Sequence, residues 1–274
     1  MPEDFRLAEY CLIFALAGAA SGFFSGLFGI GGGIFRIPVF VLLFPGFGIH
    51  GGSEMHVAAC TSLALAVPAG VLALRKHQRL GSFDSGYFRG WVFGLIVGTV
   101  VGLGISSFVG TFVLKVAFVA FLTISAVYFG LIPDRVVLAP NPPRGWVKAL
   151  TSGGVGAYCV MIGIAGGSLA TPILKACSMP VVRAIAIGSG TSMIVSSLGT
   201  VGGVLNGWSV DGRPSWSLGY LDVLLFAVMI PGVWVGTPPG VAVASKMKPA
   251  TLKASYAVFL AIIVATMLWH MLGH

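Results

Sequence analysis

The stretch Gly-Leu-Phe-Gly-Ile-Gly-Gly-Gly-Ile-Phe-Arg-Ile-Pro, residues 26–38, has a partner at residues 160–172, Val-Met-Ile-Gly-Ile-Ala-Gly-Gly-Ser-Leu-Ala-Thr-Pro. Gly29, Ile30, Gly32, Gly33 and Pro38 recur at one constant offset as Gly163, Ile164, Gly166, Gly167 and Pro172. Both copies lie inside long apolar runs, where a glycine cluster followed by proline interrupts a helix. A duplicated helix break at membrane depth predicts a transporter built from two repeats, with its site at the breaks.

The membrane follows from composition. Mean hydropathy is +0.98, 57% of residues are hydrophobic and 9% are charged. Globular chains carry about 25% charged residues, so there are too few charges here to cover a water-facing surface. Several apolar stretches reach the roughly 20 residues that cross a bilayer as helix. The expectation is an all-α integral membrane protein without a soluble domain. A net charge of +8 would suggest nucleic acid in a soluble chain. Here it reads as lysine and arginine in loops kept on the cytoplasmic side, and no nucleic-acid partner is expected. The acidic start, Met-Pro-Glu-Asp-Phe, lacks the basic region of a cleaved signal peptide, so the first apolar segment is expected to be retained. Cys11, Cys60, Cys159 and Cys177 lie in or beside apolar segments without C-x-x-C spacing. They read as small buried residues, and neither a metal nor a cofactor is expected.

Five hydrophobic segments fall in each half. In the first they are 7–28, 33–45, 55–74, 85–108 and 112–131, and in the second 147–164, 167–178, 184–206, 218–243 and 250–272. The second segment of each half is too short to cross the hydrocarbon, and reads as a half-helix or re-entrant arm. Matching extends past the glycines. Thr61-Ser62 pairs with Thr191-Ser192, and Leu80-Gly81 with Asp84 pairs with Leu218-Gly219 and Asp222. Gly94, Gly98, Thr99 and Gly102 pair with Gly232, Gly236, Thr237 and Gly240, and Leu114-Lys115 with Leu252-Lys253. The chain therefore divides into repeats at 1–132 and 147–274, joined by a linker at 133–146.

Loop charge suggests that the repeats are inverted. Arg75, Lys76 and Arg79 follow the third segment, whereas the equivalent loop after the eighth offers Arg213 beside Asp211. The loop after the fourth segment is uncharged, and its counterpart carries Lys246 and Lys248. With the linker (Arg135, Arg144, Lys148) on the cytoplasmic side, both termini are predicted outside.

The motif Gly-x-Gly-Gly-Gly-x-x-x-x-Pro from Gly29 to Pro38, its degenerate copy ending in Thr171-Pro172, and the downstream Thr-Ser pairs resemble one family. The chain is similar over nearly its whole length to the TauE/SafE family, the sulfite exporters and toluene-sulfonate-uptake permeases. That resemblance implies a permease of the inner (cytoplasmic) membrane moving sulfite, a sulfonate or a related small organosulfur anion. The second copy departs at Ala165 and Ala170, where the first has Gly31 and Arg36.

The breaks themselves point to an anion. Each sets the start of a short helix, Ile34 onward and Ser168 onward, where unpaired N–H groups and a partial positive charge favour negative ligands. Pro38 and Pro172 lie about one turn in, where the missing donor costs little. Gly31, Gly32, Gly33, Gly166 and Gly167 either line a cavity or let helices approach closely. A Rossmann-type phosphate loop is rejected, because the third glycine and an acidic partner are missing. Arg36 is expensive at membrane depth, and either binds the anion through its planar fork or pairs with a carbonyl. Thr61, Ser62, Ser168, Thr171, Ser189, Thr191 and Ser192 offer hydroxyls to the same cavity or back to their own helices. Lys175 reads as the cytoplasmic end of its short helix and Lys115 as an interfacial anchor. Glu54, Asp84 and Asp222, at helix starts, read as caps. His56 is the candidate for coupling to a proton, with a bound cation as the alternative. The expected partners are thus a small anion, the lipid bilayer and a coupling proton or cation, and a homo-oligomer is open. Alternating access about a midplane site is the leading mechanism, and an anion-selective channel built from opposed half-helices is the alternative. No enzyme is expected, since no nucleophile–base spacing or His-Glu-x-x-His is present.

Overall fold

The computed structural model describes residues 3–28, 31–47, 52–131, 139–210 and 216–272. Gly29 and Ile30 of the first break, Arg135 of the linker and the Asp211–Arg213 pair lie outside them. Among the described residues the chain forms ten α-helices, and it is an all-α membrane protein. They are α1 (Glu3–Phe28), α2 (Gly33–Leu43, continued by a 3-10 turn at Phe44–Phe47), α3 (Glu54–Arg79), α4 (Ser85–Phe108) and α5 (Thr111–Leu131). There follow α6 (Gly145–Met161), α7 (Gly167–Ala176), α8 (Val181–Asn206), α9 (Val223–Lys246) and α10 (Pro249–Leu272). Seven of them, all but α2, α6 and α7, are long and apolar enough to cross a bilayer.

Both short helices begin at a glycine break. Gly31 and Gly32 have φ of 75° and 72°, and Gly163 has φ of 72°, so the chain turns there through a conformation that a side chain would strain. α2 has 11 residues and α7 has 10, about 15–17 Å of helix, roughly half of a hydrocarbon core. One detail corrects the sequence reading. With α2 starting at Gly33 and α7 at Gly167, Pro38 and Pro172 lie past the N–H groups that go unpaired at any helix start. Each proline therefore removes a helix bond, to the carbonyls of Ile34 and Ser168 respectively.

A second correction concerns the ninth segment. Residues 217–222 form a tight antiparallel hairpin of two-residue strands, β1 (Ser217–Leu218) and β2 (Leu221–Asp222), before α9 starts at Val223. The matched positions Gly81 and Gly219 both have positive φ, 66° and 61°. Asp84 and Asp222 then cap α4 and α9 in the same way, accepting from Tyr87 N and Leu225 N at 2.9 Å. Glu54 differs. It sits in the first turn of α3 and forms an ion pair with Lys115 of α5 at 3.0 Å, so Lys115 is a tie between helices and not a free interfacial anchor.

Helix pairing is built on small residues. α1 packs on α9, α4 on α6, α3 on α8 and α5 on α10. Gly18, Gly22 and Gly26 of α1 meet the backbone of Met229, Val233 and Thr237 on α9, and Gly232, Gly236 and Gly240 return the contact against α1. Gly94, Gly98 and Gly102 of α4 meet Ala149, Gly153 and Ala157 of α6 in the same manner. Where lipid surrounds the helices, close backbone approach replaces hydrophobic burial as the main source of attraction. The helices that bear matched glycines thus exchange partners, α4 crossing α6 as α9 crosses α1.

Two apolar clusters flank the breaks. One gathers Phe14, Ile34, Phe40, Phe118 and Leu260, and the other Trp91, Leu95, Val155, Leu174 and Ile187. Phe93, Phe108, Leu131, Trp234 and Trp269 face outward, as suits a lipid-facing surface.

Candidate functional site: two helix breaks meeting at a buried arginine

The two glycine breaks touch. A Cβ added to Gly31 would lie 3.4 Å from Cβ of Ala165, and one added to Gly33 would lie 3.3 Å from the Gly163 carbonyl oxygen. Ser62, reaching in from α3, donates from Oγ to that carbonyl at 3.0 Å. Gly163 in turn rests on Ala59 of α3 and on Ile37 of α2. Residues of α2, α3 and the second break therefore close on one point.

Arg36 occupies that point and is 1% exposed. Its Nη2 donates to the Gly31 carbonyl at 2.8 Å and to the Ser62 carbonyl at 3.0 Å. Nη1 reaches Ser21 Oγ of α1 at 3.4 Å, and Nε reaches Ser62 Oγ at 3.5 Å. Every one of these partners is a neutral oxygen, and among the described residues no carboxylate pairs with it. The carbonyl-pairing alternative is thus realised, yet the positive charge is left uncompensated. At the equivalent place on α7 is Ala170, fully buried, so the charge belongs to one break only.

The second break is held by its own hydroxyls. Ser192 Oγ accepts from Gly167 N at 2.8 Å, and Ser168 Oγ donates to the Ala165 carbonyl at 2.6 Å. Gly166 lies against Thr191 and Val195 of α8, and a Cβ at Gly188 would overlap Thr171 Oγ1. The remaining hydroxyls are engaged elsewhere. Thr61 Oγ1 accepts from Asp222 N at 3.1 Å. Thr191 donates to its own helix at Ile187 O and accepts from Trp91 Nε1 at 3.0 Å. Ser189 is half-buried and donates to Ile185 O of its own helix.

One cavity adjoins the second break, and a wider hollow lies past the far end of α7. A cavity of about 30 Å³ lies between the start of α3 and the ends of α4 and α8. Its wall includes Ala59 and Met161 next to the second break, and His56, Ser106, Asn206 and Tyr220. α4 and α8 begin at the opposite end, beside a wider hollow of about 560 Å³ lined by Asp84, Arg144, Ser178 and Arg183. Asp84 and Arg183 are in ion-pair contact there. The Tyr87 N–H bond holds the Asp84 carboxyl below the usual range, with Arg183 adding to the effect against a smaller opposing contribution from burial.

Sequence reasoning missed Ser21, Ser106, Asn206 and Tyr220. Ser21 sits among the small residues of Gly18–Gly22, and a serine there looks like any close-packing residue. The other three come from three separate elements, and no local period links them.

The family described as sulfite exporter TauE/SafE matches residues 14–267. The chain belongs to this family, and it is a multi-pass membrane transporter. A probable membrane transporter protein of Haemophilus influenzae is 27% identical, over 94% of this chain and 98% of its own length. A second, from Methanocaldococcus jannaschii, is 25% identical over 91% of this chain and 92% of its own length. Another Haemophilus influenzae protein of the same description is 24% identical over 93% of this chain. No solved structure gives a significant match.

Proposed function

We propose that the protein is a secondary transporter that moves a small sulfur-containing anion across the cytoplasmic membrane. The cargo would be sulfite, a sulfonate or a related organosulfur anion, and transport would proceed by alternating access around the paired breaks. The carrying observation is Arg36, buried with neutral oxygens as its partners. A charge taken out of water is costly unless something of opposite sign completes it. A pyramidal sulfite or a tetrahedral sulfonate does so, and the guanidinium fork can meet two of its oxygens with parallel bonds. The helix starts at Gly33 and Gly167 add favourable dipoles from both repeats.

The organisation we infer is a pair of inverted repeats, 1–132 and 147–274, with a cytoplasmic linker at 133–146 and both termini outside. Three features support it: the reversed loop charges, the shared caps at Asp84 and Asp222, and the exchange of partners by α4 and α9. Rocking of one α4–α6 or α9–α1 unit about the breaks would open the 30 Å³ cavity and the wider hollow in turn.

Reconstituted flux tests this. In proteoliposomes we expect saturable uptake of sulfite or sulfoacetate, with counterflow when the same anion is loaded inside. Conductance without counterflow would make the protein a channel and overturn the carrier mechanism. Plain carboxylates carried as well as sulfonates would overturn the sulfur selectivity.

A further inference from the structure

His56, in the first turn of α3, is held in a way that neither the breaks nor the packing require. Its Nε2 lies 2.9 Å from the Ser106 carbonyl oxygen at the end of α4. A carbonyl only accepts, so Nε2 carries the hydrogen and the neutral ring is fixed as the Nε2–H tautomer. Nδ1 is then the lone-pair nitrogen, and among the described residues it is buried without a hydrogen-bond partner. The ring stacks on Tyr220 of the hairpin at 5.1 Å between centroids and 28° between planes, which limits its rotation. Both residues line the 30 Å³ cavity beside the second break.

We propose that His56 Nδ1 is a proton-binding site of the transport path, and that the protonated ring donates from Nδ1 to an oxyanion passing through this cavity. The proposal rests on the anion-transport reading and names its coupling ion. The ionisable groups that face His56 from the neighbouring elements are engaged elsewhere. On its own helix, Glu54 is tied to Lys115 of α5, and the Cys60 thiol faces the Thr200 carbonyl of α8 at 3.7 Å. α4 and α8 contribute the uncharged Ser106 and Asn206, and α6 the apolar Val160 and Met161. On the hairpin, Tyr220 is stacked on the ring, and the Asp222 carboxylate is occupied by Tyr10 Oη and the Leu225 N–H. The proton comes from water at the mouth of the cavity and is released when the anion leaves. Proton and anion then strengthen each other's binding by the same factor, because the linkage is reciprocal.

Two measurements on the full-length protein in nanodiscs test this. The first follows imidazole ¹⁵N resonances against pH, with His56→Gln to assign the signal. We expect the Nε2–H tautomer at high pH and, as the pH is lowered, protonation at Nδ1. An Nδ1–H tautomer, or no titration between about pH 5 and about pH 9, would overturn the proposal.

The second follows sulfoacetate affinity over the same range, in which both of its acid groups stay ionised. The wild type should weaken toward tenfold per pH unit above the midpoint, the limit for one linked proton. In His56→Gln, confirmed as folded by its thermal transition, that slope should flatten. A His56→Gln protein that keeps the wild-type slope would overturn the proposal. Failure of wild-type protein to bind sulfoacetate at any pH would count against the sulfonate reading instead, and the ¹⁵N titration would then decide His56 by itself.

Discussion

Arg36 carries a full charge into a place where each neighbour is neutral, so its partners are both a support and a test. Ser62 has two tasks: its carbonyl accepts from Nη2, and its hydroxyl bridges toward Nε and the Gly163 carbonyl. Ser62→Ala should cost about 1–3 kcal/mol, the penalty of leaving a buried carbonyl unpaired, seen as a lower unfolding temperature in detergent. A Cβ at Gly32 would be left-handed in backbone and 2.8 Å from Arg36 Nη1. Gly32→Ala should therefore cost at least about 1–2 kcal/mol from backbone strain and displace the guanidinium, lowering both stability and anion affinity. Unchanged affinity in Gly32→Ala would separate Arg36 from the ligand. At this scale the sequence singled out Arg36 because an arginine three residues past a glycine cluster is costly in a membrane. It did not single out Ser21, since a hydroxyl that serves a residue on another helix leaves no mark in its own segment.

Helices α1 to α10 were legible to within about five residues at their ends, because apolar runs of membrane length bounded by glycine, proline and charge have few ways to fold. The hairpin at 217–222 was not, since Leu218 and Leu221 extend the apolar pattern of α9 and carry no strand period of their own. The glycine ladders were visible as a period, but their partners were not. Which helix a glycine face meets depends on the whole bundle. Gly98→Ala would drive its Cβ into the Gly153 carbonyl, and Gly236→Ala into that of Ala19. Each should lower the thermal transition by several degrees and reduce yield from membranes. Gly104→Ala, on the same helix but with open space around it, should be neutral or gain up to about 1 kcal/mol from helix propensity. Equal losses at Gly98 and Gly104 would contradict the close crossing of α4 and α6. Removing the Asp84 cap by Asp84→Ala should cost about 1 kcal/mol. Because the folded-state pKa is lowered, that contribution is complete above about pH 4, the ordinary aspartate value. It is lost only as the pH falls further, through the lowered one, and unfolding followed across acid pH checks the sign.

For the whole molecule, the two copies of the repeated motif meet at the contact of Gly33 with Gly163. How the halves are turned in the bilayer rests on the loop charges. A reporter fused after His274 should be active outside the cell, and cysteines placed near Arg144 should react only with reagents that enter the cytoplasm. A cytoplasmic C-terminus would overturn this topology. The cavity at His56 was beyond reach of sequence, being assembled from α3, α4, α6, α8 and the hairpin at large separations along the chain. The anion site itself is best tested by binding, with sulfite and sulfoacetate titrated into wild-type, Arg36→Lys and Arg36→Ala proteins and read as thermal stabilisation. Wild type should be stabilised by the anion. Arg36→Lys, which keeps the charge but loses the fork, should bind about tenfold to a hundredfold more weakly, a loss of roughly 1.4–2.7 kcal/mol, and Arg36→Ala should not respond. A folded Arg36→Ala protein stabilised as strongly as the wild type would contradict the assignment of Arg36 as the anion's partner.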